Sequence, residues 1–303
     1  MFADYWLRSG RLDRCSFVID RGAYLKGMGL GTMVLDSIAR ERYSRQIMMK
    51  EIGEAGQRKL AGASVLAVGC GGLGAPALYY LAALGIGHLG LCDGDVVSQS
   101  NLNRQILFTP GDLGKPKASV ADMRLRELNP QLATTVYERP LDAELAGRIV
   151  SAYGIVLDCL DNFETRFILN DACVAARRPF VHAGIGEFYG QLMTVTPGTG
   201  PCLRCLFPRG AQEGEQGSAQ GSAQEKGPKM PFGVVGPTPG VIGALQALEA
   251  MKYLLGLPVS NDGLVVYDGL QMSLEKVAIA ASPDCICSAL QGGAAGRSIA
   301  KRG

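Results

Sequence analysis

The chain has little of what marks several large classes of protein. Lys and Arg exceed Asp and Glu by only 30 to 28 among 303 residues, so the charge balance does not indicate a nucleic-acid-coating protein. The longest apolar stretch, residues 77–86, contains two tyrosines and is too short to span a bilayer, so no membrane association is expected. The first residues lack the unbroken apolar run of a signal peptide, which predicts a cytoplasmic protein.

Histidine is scarce as well. His88 and His182 are the two present, and both lie in strand-like runs where packing is a commoner role than acid–base catalysis. Nine cysteines is an odd number in a chain too large to need disulfide staples, which favours thiols or a metal site in a reducing compartment. With 47% hydrophobic residues, the composition excludes a disordered chain as well as a secreted disulfide scaffold.

Short apolar runs alternate with amphipathic or apolar helical segments, and regular structure is expected from about Ser37. This alternation predicts a Rossmann-like α/β fold: a mostly parallel sheet with helices on both faces and an antiparallel C-terminal extension. The predicted strands are 64–68, 88–92, 155–159, 180–184, 191–196, 264–268 and 274–280, and the predicted helices are 76–84, 117–128 and 241–254.

The predicted domain covers residues 37–290. Residues 1–36 have no clean periodicity and are expected to form a loosely ordered extension. Residues 210–231 include a repeated GSAQ and little that a core would bury, which predicts a flexible crossing loop. Residues 291–303, rich in Gly and Ala, are expected to be a flexible tail.

A glycine-rich loop points to a nucleotide. Residues 69–74 read GCGGLG and fit G-x-G-x-x-G between a predicted strand and a predicted helix. Glycines let the backbone approach phosphate, and the helix N-terminus supplies N–H donors. Asp93 ends the next strand, where a carboxylate takes ribose hydroxyls; a glycine turn without a ligand is the alternative. The glycines concerned are Gly69, Gly71, Gly72 and Gly74.

The segment after Asp93 favours ATP over a nicotinamide cofactor. Residues 93–105 read DGDVVSQSNLNRQ and are dense in side chains suited to a triphosphate, among them Asp95, Ser100, Asn101 and Arg104. Lys117 stands near the predicted positive end of a helix.

A carboxylate follows a later strand. Asp161 and Asn162 come after the strand predicted at 155–159, and such strand ends line the ligand crevice of open α/β sheets. Together with Arg104 and Lys117, Asp161 makes a set suited to ATP with magnesium, since cations neutralise phosphate oxygens and a carboxylate holds the metal.

The cysteines divide into two groups. Cys202 and Cys205 form a C-x-x-C, which suits two thiolate ligands of a tetrahedral zinc; a redox pair or a chance spacing are the alternatives. Four others lie in apolar strand or helix runs and are expected in the core. These four are Cys70, Cys92, Cys159 and Cys173.

The order of these motifs resembles that of the ThiF/MoeB/HesA family, which is similar to the adenylating domain of ubiquitin-activating enzymes. The resemblance runs from about Arg42 to Cys287. It implies ATP- and Mg²⁺-dependent transfer of AMP to the C-terminal Gly-Gly carboxylate of a ubiquitin-like sulfur carrier of the molybdopterin or thiamine pathway type, with release of pyrophosphate. The motifs are RYSRQ (42–46), GCGGLG (69–74), DGDVVSQSNLNRQ (93–105), KPK (115–117), DCLDN (158–162) and CLRC (202–205).

The resemblance also implies roles for individual residues. Gly72 and its neighbours cover the phosphates and Asp93 holds the ribose. Asn101 and Arg104 hold phosphates, while Lys117 approaches the α-phosphate.

Two further implied roles concern the metal and a second subunit. Asp161 binds magnesium, with Asn162 adjacent. The second arginine of RYSRQ, Arg45, reaches into the neighbouring subunit's site, which implies a homodimer. A surface salt bridge is the plain alternative for Arg45.

The chain departs from the family pattern at two places. Cys285 and Cys287 form a C-x-C where relatives have a second C-x-x-C, so the resemblance implies a structural four-cysteine zinc site with altered spacing. Many relatives carry a cysteine in the crossing loop, but none occurs between 206 and 284 here. The chain therefore resembles members that adenylate only, with sulfur from a separate donor.

Two other functions also fit parts of the sequence. An NAD(P)-dependent oxidoreductase would share the glycine loop, but it leaves RYSRQ and the zinc-type cysteines unexplained. A non-catalytic scaffold that binds nucleotide or carrier would keep the same fold.

Overall fold

The computed structural model describes residues 35–208 and 233–288. One eight-stranded sheet organises them, in the order β3-β2-β1-β4-β5-β6-β7-β8. The strands are β1 (Ser64–Val68), β2 (His88–Cys92), β3 (Ala133–Tyr137), β4 (Ile155–Asp158), β5 (Phe180–Gly186), β6 (Tyr189–Val195), β7 (Gly263–Asp268) and β8 (Ser273–Ala278).

Helices connect and cover these strands. They are α1 (Ser37–Arg42), α2 (Ser44–Ile47), α3 (Gly53–Ala61), α4 (Gly74–Leu84), α5 (Lys117–Leu128), α6 (Ala143–Ile149), α7 (Phe163–Ala175), α8 (Leu203–Leu206) and α9 (Pro237–Leu255). Three 3₁₀ turns complete the described elements, at Gln99–Asn101, Pro110–Asp112 and Val150–Ala152.

The sheet changes direction at β5. Strands β1 to β5 pair in parallel, whereas β6, β7 and β8 are antiparallel to their neighbours. This arrangement confirms the predicted Rossmann-like fold with its antiparallel C-terminal extension. The helices α6 and α7 and the strand β3 were not predicted. The strand was missed because the threonine-rich ATTVY of β3 lies half-buried at the sheet edge and has no apolar run.

Apolar side chains fill both sides of the sheet. On one side α4 and α9 pack against it through buried residues such as Leu78 and Ile242. On the other side α6 and α7 contribute Leu145 and Leu169. A Cβ at Gly243 of α9 would lie 2.5 Å from the carbonyl oxygen of Leu73, so a glycine permits α9 to approach the start of α4 this closely.

The N-terminal helical spacing produces short helices rather than one long helix. Tyr43 and Ile52 are buried as their spacing predicts, but Ile38 is 69% exposed, and the helix is interrupted at Tyr43 between α1 and α2. The Tyr43 hydroxyl accepts a hydrogen bond from Asn129 Nδ2 at 3.1 Å, which ties this turn to the end of α5.

The four cysteines expected in the core are buried, which confirms that prediction. Burial raises the pKa of Cys92 to about 12, so this thiol is neutral at physiological pH. Of the described helices, none combines the length and apolarity needed to cross a membrane. Residues 1–34 of the predicted extension, residues 209–232 around the predicted crossing loop, and the tail beyond 288 lie outside the described residues.

Candidate nucleotide-binding site and cysteine cluster

Two of the loop glycines are required by the backbone itself. Gly69 has φ +100°, and a Cβ there would lie 2.5 Å from the carbonyl oxygen of Cys159. A Cβ at Gly74 would lie 2.1 Å from the carbonyl oxygen of Gly69. Side chains at these positions would push the loop away from β4, so both glycines serve the path of the chain.

Gly72 has space beside it, and the N–H groups around it are free. A Cβ at Gly72 would meet only ordinary contacts, with Pro239 at 3.5 Å and Arg104 Cγ at 3.8 Å. Within the described residues, the N–H groups of Gly71, Gly72 and Leu73 donate no hydrogen bond. They lie at the N-terminus of α4, where free N–H groups and the helix dipole favour an anion.

A buried amide adds to this polar pocket. Gln105 is 5% exposed, and its Oε1 has no hydrogen-bond partner among the described residues. A Cβ at Gly71 would lie 3.3 Å from Gln105 Nε2, so this amide lies directly beside the glycine loop. A buried acceptor without a protein donor at this position indicates that a ligand or a water molecule donates to it.

Asp93 is held against the loop at the end of β2. Its Oδ2 accepts the Cys70 N–H at 2.7 Å and its Oδ1 accepts the Asp95 N–H at 2.8 Å. Burial raises the pKa of Asp93 against the lowering effect of these bonds.

Lys117 begins α5 next to the same strand end. It is 5% exposed, and its Nζ lies 2.9 Å from Oδ2 of Asp95, whose side chain is 74% exposed. A buried ammonium at a helix N-terminus opposes the helix dipole, so it needs an anionic partner. In this structure Asp95 provides that partner.

Arg104 is presented by a compact turn. Asn101 Oδ1 accepts the Ser98 N–H at 3.2 Å, which closes the 3₁₀ turn Gln99–Asn101. Arg104 Nη1 donates to the Ser100 carbonyl oxygen at 2.8 Å and to Asn103 Oδ1 at 3.0 Å. The guanidinium is therefore held beside the glycine loop without an acidic partner among the described residues.

Asp161 and Asn162 lie exposed just beyond β4. Asn162 Oδ1 accepts the Thr165 N–H at 2.9 Å and so caps α7, while its Nδ2 lies 3.4 Å from Asp161 Oδ1. Because β1, β2 and β4 are parallel neighbours, their carboxyl ends bring Asp161, Asp93 and the glycine loop to one edge of the sheet.

Arg45 lies apart from this set, exposed on α2. Its side chain has neither an ion pair nor a hydrogen bond to any residue that the structure describes, so the salt-bridge alternative finds no support there. The neighbouring Met48 and Met49 are 76% and 50% exposed. This part of the surface therefore combines an unpaired cation with apolar side chains.

A cavity of about 590 Å³ opens next to the Arg104 turn. Its walls join two chain segments, because Glu187 and Val234 pair as an isolated parallel bridge. The Glu187 N–H donates to the Gly233 carbonyl oxygen at 2.8 Å. Sequence reasoning did not identify this cavity, since its two walls are far apart in the chain. The lining residues are Asn103, Glu187, Phe188, Gly233, Val234, Val235, Gly236 and Pro237.

The four cysteines assigned to a metal come together. All four Sγ atoms lie within 4.8 Å of one another, with Cys202–Cys285 and Cys205–Cys287 each at 3.4 Å. A Zn–S bond of about 2.3 Å in a tetrahedron requires sulfurs about 3.8 Å apart, which this spacing brackets. The Ser282 N–H donates to Cys205 Sγ at 3.3 Å, as expected of a site that stabilises thiolate.

The fold and the loop thus define an α/β protein of the dinucleotide-fold type, with an anion-binding loop at the carboxyl edge of its parallel strands. The ThiF family profile matches residues 43–289, and the chain belongs to this family.

Several relatives are similar over most of the chain. It is 43% identical over 255 residues to the SAMP-activating enzyme E1 of Haloferax volcanii, covering 84% of this chain and 90% of that protein. It is 42% identical over 251 residues to the sulfur carrier protein adenylyltransferase of Thermus thermophilus, covering 81% and 89%. It is 44% identical to the mouse adenylyltransferase and sulfurtransferase MOCS3 over 81% of this chain, which spans only 52% of that longer protein.

Solved structures share the fold. Escherichia coli MccB superposes with a TM-score of 0.69 at 24% identity, covering 81% of this chain and 74% of that one.

The geometry of the glycine loop predicts that one Gly→Ala substitution lowers stability and a neighbouring one does not. Gly74→Ala should destabilise the protein by about 1–3 kcal/mol, because the new methyl group overlaps the Gly69 carbonyl oxygen. Gly72→Ala should change stability by less than about 0.5 kcal/mol, since its methyl group meets only van der Waals contacts. Urea unfolding of both variants measures this difference. Equal losses would contradict the described course of the loop.

Proposed function

We propose that the chain is an ATP-dependent adenylyltransferase that activates the C-terminal Gly-Gly carboxylate of a ubiquitin-like sulfur carrier. The carrying observation is that free N–H groups of the glycine loop lie beside the Arg104 turn at one sheet edge. The names of relatives 42–43% identical, a SAMP-activating enzyme and a sulfur carrier protein adenylyltransferase, support the substrate class. None of these names supports the oxidoreductase alternative.

The nucleotide would be held through its phosphates and through its ribose. The N–H groups after Gly71 would receive phosphate oxygens, and Arg104 would neutralise them from beside the loop. Asn101 and Ser100 belong to the same turn and would line the phosphates. Asp93 would accept ribose hydroxyls with whatever hydrogen-bonding capacity its two backbone bonds leave free.

Lys117 would act where charge develops during attack. In the structure its ammonium is paired with Asp95, so it is already held near the glycine loop's side of the sheet. We propose that an α-phosphate oxygen replaces or joins Asp95 as its partner. A preorganised cation in a site of low water content stabilises developing negative charge strongly.

The residues present fit a magnesium ion bound with ATP. Asp161 is an exposed carboxylate without an ion pair among the described residues, and its neighbour Asn162 is committed to capping α7. Mg²⁺ commonly binds through one or two carboxylates together with substrate phosphates, where it neutralises their charge. Asp161 would provide this protein ligand.

No dedicated base is required for the chemistry. The attacking carboxylate of the carrier is ionised at pH 7, since an α-carboxyl group has a pKa of about 3.5. The work of this chain is then to align the carboxylate with the α-phosphate and to neutralise charge. We place the carrier's tail in the cavity lined by Phe188 and Val235, because this cavity opens beside Asn103, next to the Arg104 turn that would hold the phosphates.

Sulfur would come from a separate donor. No cysteine occurs between 206 and 284, so the crossing loop has no thiol for a covalent link to the carrier. Cys70 belongs to the glycine loop and Cys159 lies against it, but burial raises the pKa of each thiol well above its usual range. We therefore propose adenylation alone, in the reducing cytoplasm that the eight free cysteines of the described residues favour.

Two structural features support further proposals about assembly. The four-cysteine cluster would hold a structural zinc, since four thiolates fill a tetrahedral site and leave no position for substrate. Arg45, exposed beside Met48 and Met49, would reach the nucleotide of a second subunit in a homodimer.

The ATP site is tested by isotope exchange. Lys117→Ala and Arg104→Ala should each reduce carrier-dependent ATP–pyrophosphate exchange about 100-fold or more, because each removes a charge facing the developing phosphate charge. Arg148→Ala, an exposed arginine on α6, is the matched control and should retain full exchange. Near-native exchange in both site variants would contradict the assignment.

Action between subunits is tested by mixing two inactive variants. Arg45→Ala and Asp161→Ala homodimers should each lack exchange, whereas their mixture should recover about one working site per heterodimer. Native mass spectrometry establishes that subunits have exchanged. Absence of recovery in a mixture that contains heterodimers would show that Arg45 does not act in its partner's site.

The zinc site is tested by metal content and stability together. The native chain should contain about one zinc per chain, and Cys205→Ser should lose the metal and unfold at lower temperature. Cys173→Ala, a buried cysteine outside the cluster, should keep its zinc. Native protein that is fully stable without metal would contradict the site.

A further inference from the structure

A buried polar cluster lies at the carboxyl end of β4, just before Asp161 in the chain. Asp158 at the end of β4 and His182 on β5 are both 0% exposed, and Arg166 of α7 is 6% exposed. Asp158 and His182 are paired residues in the parallel register of the two strands. Burying a carboxylate, a guanidinium and an imidazole is costly unless each is well partnered, so the cluster requires a physical explanation.

The hydrogen bonds of His182 define its protonation. His182 Nδ1 lies 2.7 Å from Oδ2 of Asp158, and burial lowers the pKa of the imidazole even beside this carboxylate. The ring is therefore neutral, with its proton on Nδ1 donated to Asp158. Its unprotonated Nε2 lies 3.4 Å from Gln191 Nε2 and accepts a hydrogen bond from this amide.

The carboxylate of Asp158 in turn holds the turn that follows β4. Its Oδ1 accepts the Leu160 N–H at 3.1 Å, while the Leu160 carbonyl oxygen accepts a hydrogen bond from Arg166 Nη2. Burial raises the pKa of Asp158, but Arg166 and His182 lower it by more than burial raises it. The pKa is therefore below its usual value and the carboxyl is ionised. Asp158 and Arg166 thus hold both backbone groups of Leu160, the residue before Asp161.

The same turn is fixed from its other end. The Cys159 N–H donates to the Val68 carbonyl oxygen at 3.0 Å, and Gln246 Nε2 donates to the backbone oxygen of Asp158 at 2.9 Å. With Cys159 and Leu160 both held, little freedom remains for the backbone of Asp161. The Oδ1 atom of Asp158 receives the Leu160 N–H and lies 3.9 Å from Arg166 Nε, whereas within the described residues His182 is the one hydrogen-bond donor to Oδ2.

We propose that His182 is a positioning residue for the metal–nucleotide site: by donating to Asp158 it fixes the turn that presents Asp161. This inference rests on the proposed function, in which Asp161 is the magnesium ligand. His182 itself is fully buried and does not contact the nucleotide in this account.

The test compares removal of the ring with replacement of its donor. His182→Ala and His182→Leu both remove the hydrogen bond to Asp158, and the leucine also refills the volume if alanine prevents folding. His182→Asn keeps an N–H donor near the position of Nδ1. Calorimetric titration of each variant with ATP, at saturating magnesium and without carrier, gives the dissociation constant.

His182→Ala and His182→Leu should weaken ATP binding in magnesium about tenfold or more, as for other residues that orient a metal ligand. His182→Asn should restore it to within about threefold of native. ATP titrated with EDTA present should show a much smaller difference among the variants, because Asp161 then has no metal to hold. In exchange assays the KM for ATP should rise while the KM for the carrier is unchanged.

A matched control separates positioning from stability. Thr194 on β6, 0% exposed, pairs with Val181 next to His182 but donates to Glu249 at 2.7 Å rather than to Asp158. Thr194→Val should lower the melting temperature without changing the ATP dissociation constant. Native-like ATP binding in a folded His182→Ala or His182→Leu variant would overturn the inference alone. Failure of the native chain to bind ATP would instead overturn the proposed function.

Discussion

The candidate site depends on the close approach of two backbone segments at the centre of the sheet. The Gly69 N–H donates to the Cys92 carbonyl oxygen on β2, and the Cys159 N–H donates to Val68 on β1. A Cβ at Gly69 would overlap the Cys159 carbonyl oxygen, so this approach exists only because glycine follows β1. Three strand ends are thereby held in one position, and the glycine loop, Asp93 and Asp161 follow directly from them.

The close approach of these backbone segments explains why few side chains are needed to form the candidate nucleotide site. The free N–H groups of the glycine loop follow directly from the sheet, and hydrogen bonds hold both backbone groups of Leu160, the residue before Asp161. Preorganised donors and charges stabilise a reacting phosphate without reorganising during the reaction. In the proposed function Lys117 and Arg104 complete the site as side chains, one buried beside Asp95 and one held by its own turn.

Much of the fold follows from local sequence patterns. The apolar runs of β1, β2 and β4 are strands buried over most of their length, and such runs between helices identify a parallel sheet. The strand β3 escaped prediction because edge strands need no continuous apolar run. The helical period failed at Ile38, whose side chain lies in solvent although its spacing from Tyr43 and Ile52 predicts burial.

The site was only partly accessible to sequence reasoning. Glycines and charged residues at strand ends identify the phosphate side, because their spacing reflects local backbone geometry. The cavity beside Asn103 and the pairing of Asp158 with His182 depend instead on segments far apart in the chain. His182 was correctly expected to be packed, but its link to Asp161 requires the register of β4 with β5.

Transfer of a labelled phosphate group tests the central claim most directly. The chain, magnesium and a carrier ending in Gly-Gly are incubated with ATP labelled at either the α- or the γ-phosphate. The account predicts that α-label appears on the carrier, that hydroxylamine releases it as AMP, and that γ-label is found only in pyrophosphate. Transfer of γ-label to the carrier, or a bound carrier that acquires neither label, would contradict adenylation.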